Sequence, residues 1–283
     1  MKLGITTLVF SDMSYEEVLS RVKSLGLDGL EIYNPTFYKG IFKGTISFKP
    51  ESVREAASKA ESYGLEILSV NAGNNFVQTE KSLFERQVEG VIECIDAAAT
   101  IGCPVVRVFG GEPREGVTME ESIKMIIDGL KRSSSYAEEK GIILALENHG
   151  RITNNIDILK RIIEEVNSEK LKINMDTGNF YWFGYRLSEV KEIIEEIIPL
   201  TAHTHMKNGK TERKEERRKP GEVKLVPLPD GDIDLSNVIG KLKSSGYKGA
   251  ISIEDEFEGW RSLPLEKVME TLKRDVEYLR EYL

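Results

Sequence analysis

Short apolar runs alternate with longer amphipathic segments along the whole chain. Near-continuous apolar runs are expected of parallel strands that are buried on both faces of a sheet. The pattern therefore predicts eight buried strands, each followed by a helix. The eight runs begin at Leu3, Leu27, Leu65, Pro104, Ile142, Leu171, Leu200 and Gly249.

The segments between these runs carry helix start signals. Ser14 with Glu17, and Thr118 with Glu121, have the Ser/Thr-x-x-Glu spacing of a capping box. A further N-cap is predicted at Ser188, before a segment with apolar residues at helical spacing. Strands that alternate with helices in this way indicate a parallel sheet with right-handed crossovers.

Eight strand-helix units fit a closed barrel better than an open, doubly wound sheet. The chain has 283 residues, and β/α barrels routinely fill ~250 residues as one unit. We therefore predict an α/β fold, a single (β/α)8 TIM barrel spanning residues 1–283. No GxGxxG follows the first strand and no GxxxxGK[ST] occurs, so dinucleotide and P-loop sites lose their main support. One connection, at about 207–232, is unusually long and would lie over the C-terminal face of the barrel.

Composition narrows the class of protein further. Hydrophobic residues make up 40% and charged residues 30%, an ordinary globular balance. The net charge of −8 gives no general attraction to nucleic acid. Cys94 and Cys103 lack metal or redox spacing, and no segment approaches the ~20 apolar residues of a membrane span. We expect a cytoplasmic enzyme without nucleic-acid or membrane partners.

Polar residues follow four of the apolar runs at the point where each strand should end. In a barrel these ends meet at one mouth, and buried carboxylates gathered there call for a compensating cation. Three carboxylates and one imidazole suit a divalent ion, with Mn²⁺ favoured over Mg²⁺, Co²⁺ or Zn²⁺. The alternative is a salt-bridge network with Arg107 and Lys207. The four predicted ligands are Glu147, Asp176, His205 and Glu254.

The chain has three histidines, His149, His203 and His205. His203 and His205 are two residues apart on a strand, face the same side, and are both able to serve as the ligand. His205 is preferred because it lies nearer the strand's C-terminal end, which leaves His203 beneath the ligands or in packing. His149 follows Glu147 at the strand-to-loop junction, where it would contact substrate or cap the turn.

The segments ALENHG, NMDTGNF, THMKN and ISIE, in an eight-unit layout, resemble the xylose isomerase-like barrels. That family includes ketose 3-epimerases, hydroxypyruvate isomerases, inosose dehydratases and abasic-site endonucleases, and the resemblance spans the whole chain. In the epimerase branch a metal is held by Glu, Asp, His and Glu, in the order found here. The resemblance implies proton transfer through an enediolate, with Glu147 and Glu254 as the acid/base pair on opposite sides of the substrate carbon.

The sequence departs from the epimerase pattern in places. Many epimerases have a histidine where this chain has Asn179, which can bind a hydroxyl but cannot carry a proton near neutral pH. The endonuclease branch needs three zinc ions and more histidines than the chain contains, so DNA repair is not expected. A substrate-binding arginine is common in the long loop, and the loop offers several. The remaining substrate contacts that we predict are His149, His203, Lys207, Arg213, Arg217, Trp182, Trp260 and Phe10.

Three functions are compatible with these residues. The first is a metal-dependent sugar or polyol isomerase/epimerase; the second is an inosose-type dehydratase, which would use the same enediolate and expel a hydroxyl. The third is a non-catalytic sugar-binding barrel. The basic segment KTERKEERRK would bind a substrate phosphate or form internal charge pairs on a solvated lid. The sequence leaves the assembly open, with a homodimer or homotetramer as alternatives.

Overall fold

A computed structural model of the chain describes residues 1–11, 13–37, 42–43 and 46–283, with residues 42–43 described by their backbone alone. Eight parallel strands form the predicted barrel, and each coincides with one of the eight apolar runs. The (β/α)8 TIM barrel fold is thereby confirmed. The strands are β1 Lys2–Ile5, β2 Gly29–Tyr33, β3 Glu66–Asn71, β4 Val105–Val108, β5 Ile143–Glu147, β6 Leu171–Asp176, β7 Thr201–Met206 and β8 Ala250–Ile253.

The strands pair in the order β1-β8-β7-β6-β5-β4-β3-β2, which leaves one seam, between β1 and β2. Asp28 bridges this seam: its backbone N–H donates to the Leu3 carbonyl (2.8 Å), and its carboxylate accepts from the Leu3 N–H (2.7 Å). Gly4 and Gly29 lie in the two strands beside the seam, where an added Cβ atom would clash with the Leu68 side chain and, at Gly29, with the Glu66 carbonyl oxygen as well. The barrel is therefore nearly closed, and the C-terminal ends of all eight strands surround one mouth.

Helices surround the barrel on the outside. Their inward faces carry the residues that, with the strands, make one continuous hydrophobic core. None of the helices in the described ranges combines the length and apolar character needed to cross a bilayer. The helices are α1 Tyr15–Ser24, α2 Pro50–Ser62, α3 Lys81–Ile101, α4 Met119–Lys140, α5 Ile156–Val166, α6 Asn179–Phe183, α7 Leu187–Ile197, α8 Leu235–Ser244 and α9 Leu265–Arg280.

The helix starts agree with the sequence in two cases and differ in one. Both predicted capping boxes are present, at the N-termini of α1 and α4. The cap predicted at Ser188 is wrong, because α7 already begins at Leu187. There the backbone N–H of Arg186 is satisfied by the Glu189 carboxylate, and the Ser188 hydroxyl donates instead to Glu215 of the long connection.

The long connection after β7 is ordered by a small antiparallel hairpin, in which Asn208–Lys210 pairs with Lys224–Val226. A short 3-10 helix, Leu228–Asp230, follows and docks on the last helix. The Leu228 N–H donates to the Asp275 carboxylate (2.9 Å), and Arg274 pairs with Asp230. The connection is thus anchored to α9 on the C-terminal side of the barrel.

The Asp275 carboxyl makes this anchor sensitive to pH. Burial raises the pKa of Asp275 to about 8, and the neighbouring Asp255 carboxyl adds to the rise. This value lies above the ~3.9 of an unfolded aspartate, so the native state loses stability as pH rises from about 4 to about 8. We expect Asp275→Asn, which keeps an oxygen for the Leu228 N–H, to gain roughly 4 kcal/mol over wild type between pH 5 and pH 8, at about 1.4 kcal/mol per pH unit. Urea unfolding at several pH values checks this; stability curves that stay parallel would show that Asp275 does not titrate in this range.

Candidate metal and active site

Four ionisable side chains come together at the mouth of the barrel. Glu147 ends β5, Asp176 ends β6, His205 lies one residue before the end of β7, and Glu254 directly follows β8. All four are buried, and one donor atom from each lies within 4.8 Å of the others. The strand ends therefore assemble the four residues that the sequence grouped as ligands.

The imidazole of His205 has a defined orientation. Its Nδ1 lies 3.4 Å from Glu147 Oε2 and 3.7 Å from Glu254 Oε2, whereas its Nε2 lies 3.2 Å from Glu31 Oε2. When Nε2 carries the hydrogen and donates it to Glu31, the lone pair of Nδ1 faces the other acids. A carboxylate behind a histidine is the arrangement that commonly orients a metal-binding imidazole.

Glu31 holds both barrel histidines from below the mouth. It is fully buried at β2, contacts His203 Nε2 at 2.6 Å, and accepts a hydrogen bond from Asn71 Nδ2 at 2.6 Å. Burial raises the pKa of Glu31, but His205 and His203 lower it well below its ordinary value. The structure thus places His205 among the acids and His203 against Glu31. Sequence reasoning missed this role of Glu31, which lies in the middle of its strand and not at the C-terminal end, where the other acids lie.

Replacing Glu31 by Gln should weaken metal binding while leaving the barrel folded. An amide cannot accept hydrogen bonds from both imidazoles and Asn71 with the same strength, so His205 loses its fixed orientation. We expect a loss of roughly 10–100-fold in Mn²⁺ affinity, measured by calorimetric titration. Glu66→Gln, at an exposed position of β3, is the matched control and should leave the affinity unchanged. An unchanged affinity in the Glu31 variant would mean that it has no positioning role.

Two buried cations also enter the site. Arg107 Nε lies 3.3 Å from Glu147 Oε2, and the guanidinium packs over the Phe109 ring, 4.0 Å from its centroid. Lys207 Nζ lies 3.3 Å from Asp176 Oδ2 and 2.6 Å from Glu254 Oε2. The salt-bridge network considered as an alternative is therefore present together with the ligand cluster.

These cations do not balance the three carboxylates completely. Burial raises the pKa of Asp176 well above its ordinary value, and Glu254 and Glu147 raise it further against the opposing effect of Lys207. Burial also acts on Glu147 and Glu254, but His205 helps to hold the pKa of each below its ordinary value. The three carboxyls thus differ in how readily they ionise, and a divalent ion bound among them would favour the ionised form of Asp176 as well.

The free oxygen atoms fit a divalent cation. Asp176 Oδ1 accepts hydrogen bonds from the backbone N–H groups of Gly178 and Asn179, both at 2.8 Å, which leaves Oδ2 facing the site. Asp176 Oδ2 and Glu254 Oε2 are buried, lie close to each other, and both form ion pairs with Lys207. Buried carboxylate oxygens grouped in this way are typical of a site built for a metal ion.

Asparagine side chains fix the orientation of Glu147. Asn174 Nδ2 donates to Glu147 Oε2 (3.2 Å), and Asn179 Nδ2 lies 3.4 Å from Glu147 Oε1 while also donating to the carbonyl of Asn148. The Asn179 amide, predicted to bind a substrate hydroxyl, is thus occupied within the protein. Asn174 was missed, although it lies two residues before Asp176 and so faces the same side of the strand.

The histidine and aromatic residues that we predict to contact substrate lie at different depths in the protein. His149 is partly exposed at the mouth, packs against Phe109 with ring centroids 4.4 Å apart and the ring planes tilted by 41°, and has Nδ1 at 3.4 Å from Glu112. Trp182 on α6 and Trp260 after β8 are partly buried, while Phe10 is fully buried in the core. Their contacts with substrate stay predictions.

The two loop arginines pair with loop and helix acids. Arg213 bonds to Glu216 (2.7 Å), and Arg217 bonds to Glu189 (2.7 Å) while packing over the Tyr185 ring. All these contacts lie outside the cluster of four ligands. The basic segment therefore uses at least part of its charge internally, and a role for either arginine in binding substrate stays a prediction.

Comparison with known proteins gives the family. Residues 19–282 match the family model described as "Xylose isomerase-like TIM barrel". The chain is 25% identical to an inosose dehydratase of Geobacillus thermodenitrificans, over 99% of this chain and 97% of that protein.

Among solved structures, the IolI protein with a bound zinc atom superposes with a TM-score of 0.76 at 20% identity, covering 100% of this chain and 99% of that one. A D-psicose 3-epimerase of Clostridium cellulolyticum H10, solved with D-tagatose, gives a TM-score of 0.75 at 16% identity, covering 100% of this chain and 99% of that one. The chain belongs to the xylose isomerase-like TIM barrel family.

Proposed function

We propose that the protein is a metal-dependent isomerase or epimerase that moves a proton on a carbon next to the carbonyl group of a ketose or related keto polyol. The observation that carries this proposal is the buried cluster of Glu147, Asp176, His205 and Glu254, whose donor atoms lie within 4.8 Å of one another. Mn²⁺ is our first choice for the ion because three carboxylates and one imidazole suit it, with Zn²⁺, Mg²⁺ and Co²⁺ as competitors.

A bound divalent ion would polarise the substrate carbonyl and so acidify the neighbouring C–H bond. The chain's own residues would then transfer the proton. Glu147 and Glu254 are both ionised, and they come from the fifth and eighth strands, on either side of the strands that carry Asp176 and His205. Two carboxylates that flank one site can remove a proton on one face and return it on the other, which is epimerisation.

The surroundings of the two glutamates support distinct tasks. Glu147 is fixed by Arg107, Asn174 and Asn179, so its position is tightly defined. Glu254 contacts the ammonium of Lys207, which in turn reaches the partly exposed Glu256 at the rim. We assign Glu147 as the rigid member of the acid/base pair and Glu254 as the carboxylate with access to a proton donor.

A dehydratase is the second candidate. Lys207 favours it, because a buried ammonium next to Glu254 can donate a hydrogen bond to a hydroxyl that leaves as water. The similarity to an inosose dehydratase over nearly the full length of both chains points to the same chemistry. Both reactions begin with removal of the same proton.

One experiment separates these candidates. The metal-reconstituted protein is incubated in D₂O with a panel of free ketoses and keto inositols and followed by proton NMR and ultraviolet absorption. We expect deuterium to enter the carbon next to the carbonyl, with an epimer or isomer as product. An absorbing enone or dione would assign the dehydratase instead. Ligand binding without deuterium exchange would refute both and leave a non-catalytic sugar-binding barrel.

A further inference from the structure

The Lys207 ammonium contacts carboxylate oxygens for which a metal ion would compete. Its side chain is buried, and its Nζ contacts Asp176 Oδ2 at 3.3 Å and Glu254 Oε2 at 2.6 Å. Asp176 Oδ2 is the oxygen left free when Oδ1 accepts two backbone N–H groups. A divalent ion at this position would need the same carboxylate oxygens. Because the ammonium and the ion are both positive, they repel each other and compete for these oxygens.

The stem of Lys207 is fixed, so only its charged end is able to move. The Lys207 N–H donates to the Thr177 hydroxyl (3.0 Å), and that hydroxyl donates to the Lys207 carbonyl (2.7 Å). Gly178 lies against the first carbons of the side chain, where an added Cβ would come within 2.9 Å of Lys207 Cβ. The chain therefore holds the lysine backbone and stem in place on the side of Asp176.

A second acceptor is already in reach of the ammonium. Glu256 Oε2 lies 2.9 Å from Nζ, and this carboxylate is about one-third exposed at the rim (34%). Asn179 Oδ1 lies 3.4 Å away. An ammonium that leaves Asp176 and Glu254 thus keeps two partners and is not left as an unpaired buried charge.

We propose that Lys207 is an internal counter-cation: it fills the metal position in the metal-free protein and is displaced toward Glu256 when the metal binds. This inference rests on the metal site of the proposed function. It assigns Lys207 a positioning role, since the displaced ammonium becomes a fixed donor at the mouth, next to where a substrate oxygen would lie. It also makes metal affinity depend on Glu256, a residue outside the ligand set.

Metal titration of three variants tests the proposal. Lys207→Met removes the competing cation, and we expect Mn²⁺ to bind roughly tenfold more tightly while the metal-free protein melts at a lower temperature. Glu256→Gln removes the alternative partner, and we expect binding to weaken by roughly tenfold. Lys210→Met is the matched control, at an exposed lysine of the same connection, and should leave the affinity unchanged. Binding by Lys207→Met that is unchanged or weaker than wild type would overturn the proposal.

A structure of the wild-type protein with a bound ion gives a second readout that does not depend on variants folding. We expect Nζ to lie more than roughly 4 Å from Asp176 Oδ2 and to remain within hydrogen-bond distance of Glu256. An ammonium that keeps its Asp176 contact beside the ion would refute the displacement alone. Failure of the wild type to bind any divalent ion would instead refute the proposed function itself.

Discussion

Replacing Glu254 by Gln is expected to reduce solvent-deuterium exchange at the substrate carbon by roughly 10²–10⁴-fold, even at saturating metal. The amide cannot accept or return a proton, although it keeps nearly the shape of the carboxylate. The rate is measured by NMR in D₂O on a ketose that the wild type turns over, with substrate affinity measured in parallel.

The control for this experiment is Glu258→Gln, an exposed glutamate four residues further on that pairs with Lys224. It should retain the wild-type exchange rate. If Glu254→Gln exchanges within tenfold of wild type while metal and substrate both bind, Glu254 is not the acid or base, and the assignment of the two glutamates is wrong.

Replacing Arg107 by Met is expected to lower the free energy of unfolding by about 3–5 kcal/mol, because it leaves a buried charge without its partner. Arg107 is 1% exposed, pairs with Glu147 at 3.3 Å, and donates to the Ala72 carbonyl at 3.1 Å. Methionine fills part of the space but supplies neither charge nor hydrogen bonds. Urea unfolding of the metal-free protein measures the loss.

Arg132→Met is a matched comparison. Arg132 also pairs with a glutamate, Glu85, and packs over an aromatic ring, but both partners of the ion pair are solvent-accessible, so we expect a loss below about 1 kcal/mol. A similar small loss for Arg107→Met would show that Glu147 does not depend on this cation. In the double variant Arg107→Met/Glu147→Gln, part of the stability should return.

The barrel could be predicted from the sequence because its strands are buried on both faces. Each strand reads as one apolar run, and the runs from Leu3 to Gly249 mark all eight. Cap residues with two reciprocal partners, such as Ser14 and Glu17, were also predictable. The start of α7 could not be predicted, because the Ser188 hydroxyl donates to Glu215 and does not cap the helix. Glu215 is distant in sequence, and local patterns cannot reveal this contact.

The grouping of the three acids and one histidine could be predicted because parallel strands bring their C-terminal ends to one mouth. The preference for His205 over His203 rested only on its position nearer the strand end, and the sequence could not show the contact that each of them makes with Glu31. The sequence also could not decide between a metal and internal cations. The same carboxylates attract both, and the structure shows Lys207 among them.

The basic residues of the long connection show another limit of prediction from sequence. Its basic residues suggested a phosphate site, but residue type alone does not show whether a charge is already paired. In the folded chain Arg213 pairs with Glu216, three residues further along the same connection. Arg217 pairs with Glu189 of α7, which lies close only after the connection has folded back against that helix. The availability of Arg217 to a substrate therefore depends on a tertiary contact that local sequence patterns do not show.

Anomalous diffraction from a crystal grown with Mn²⁺ tests the central claim most directly. We predict one strong peak at the mouth of the barrel, with His205 Nδ1 and oxygens of Glu147, Asp176 and Glu254 at roughly 2.0–2.3 Å. A saturated crystal with no peak at this position, or with the ion bound away from these four residues, would contradict the account.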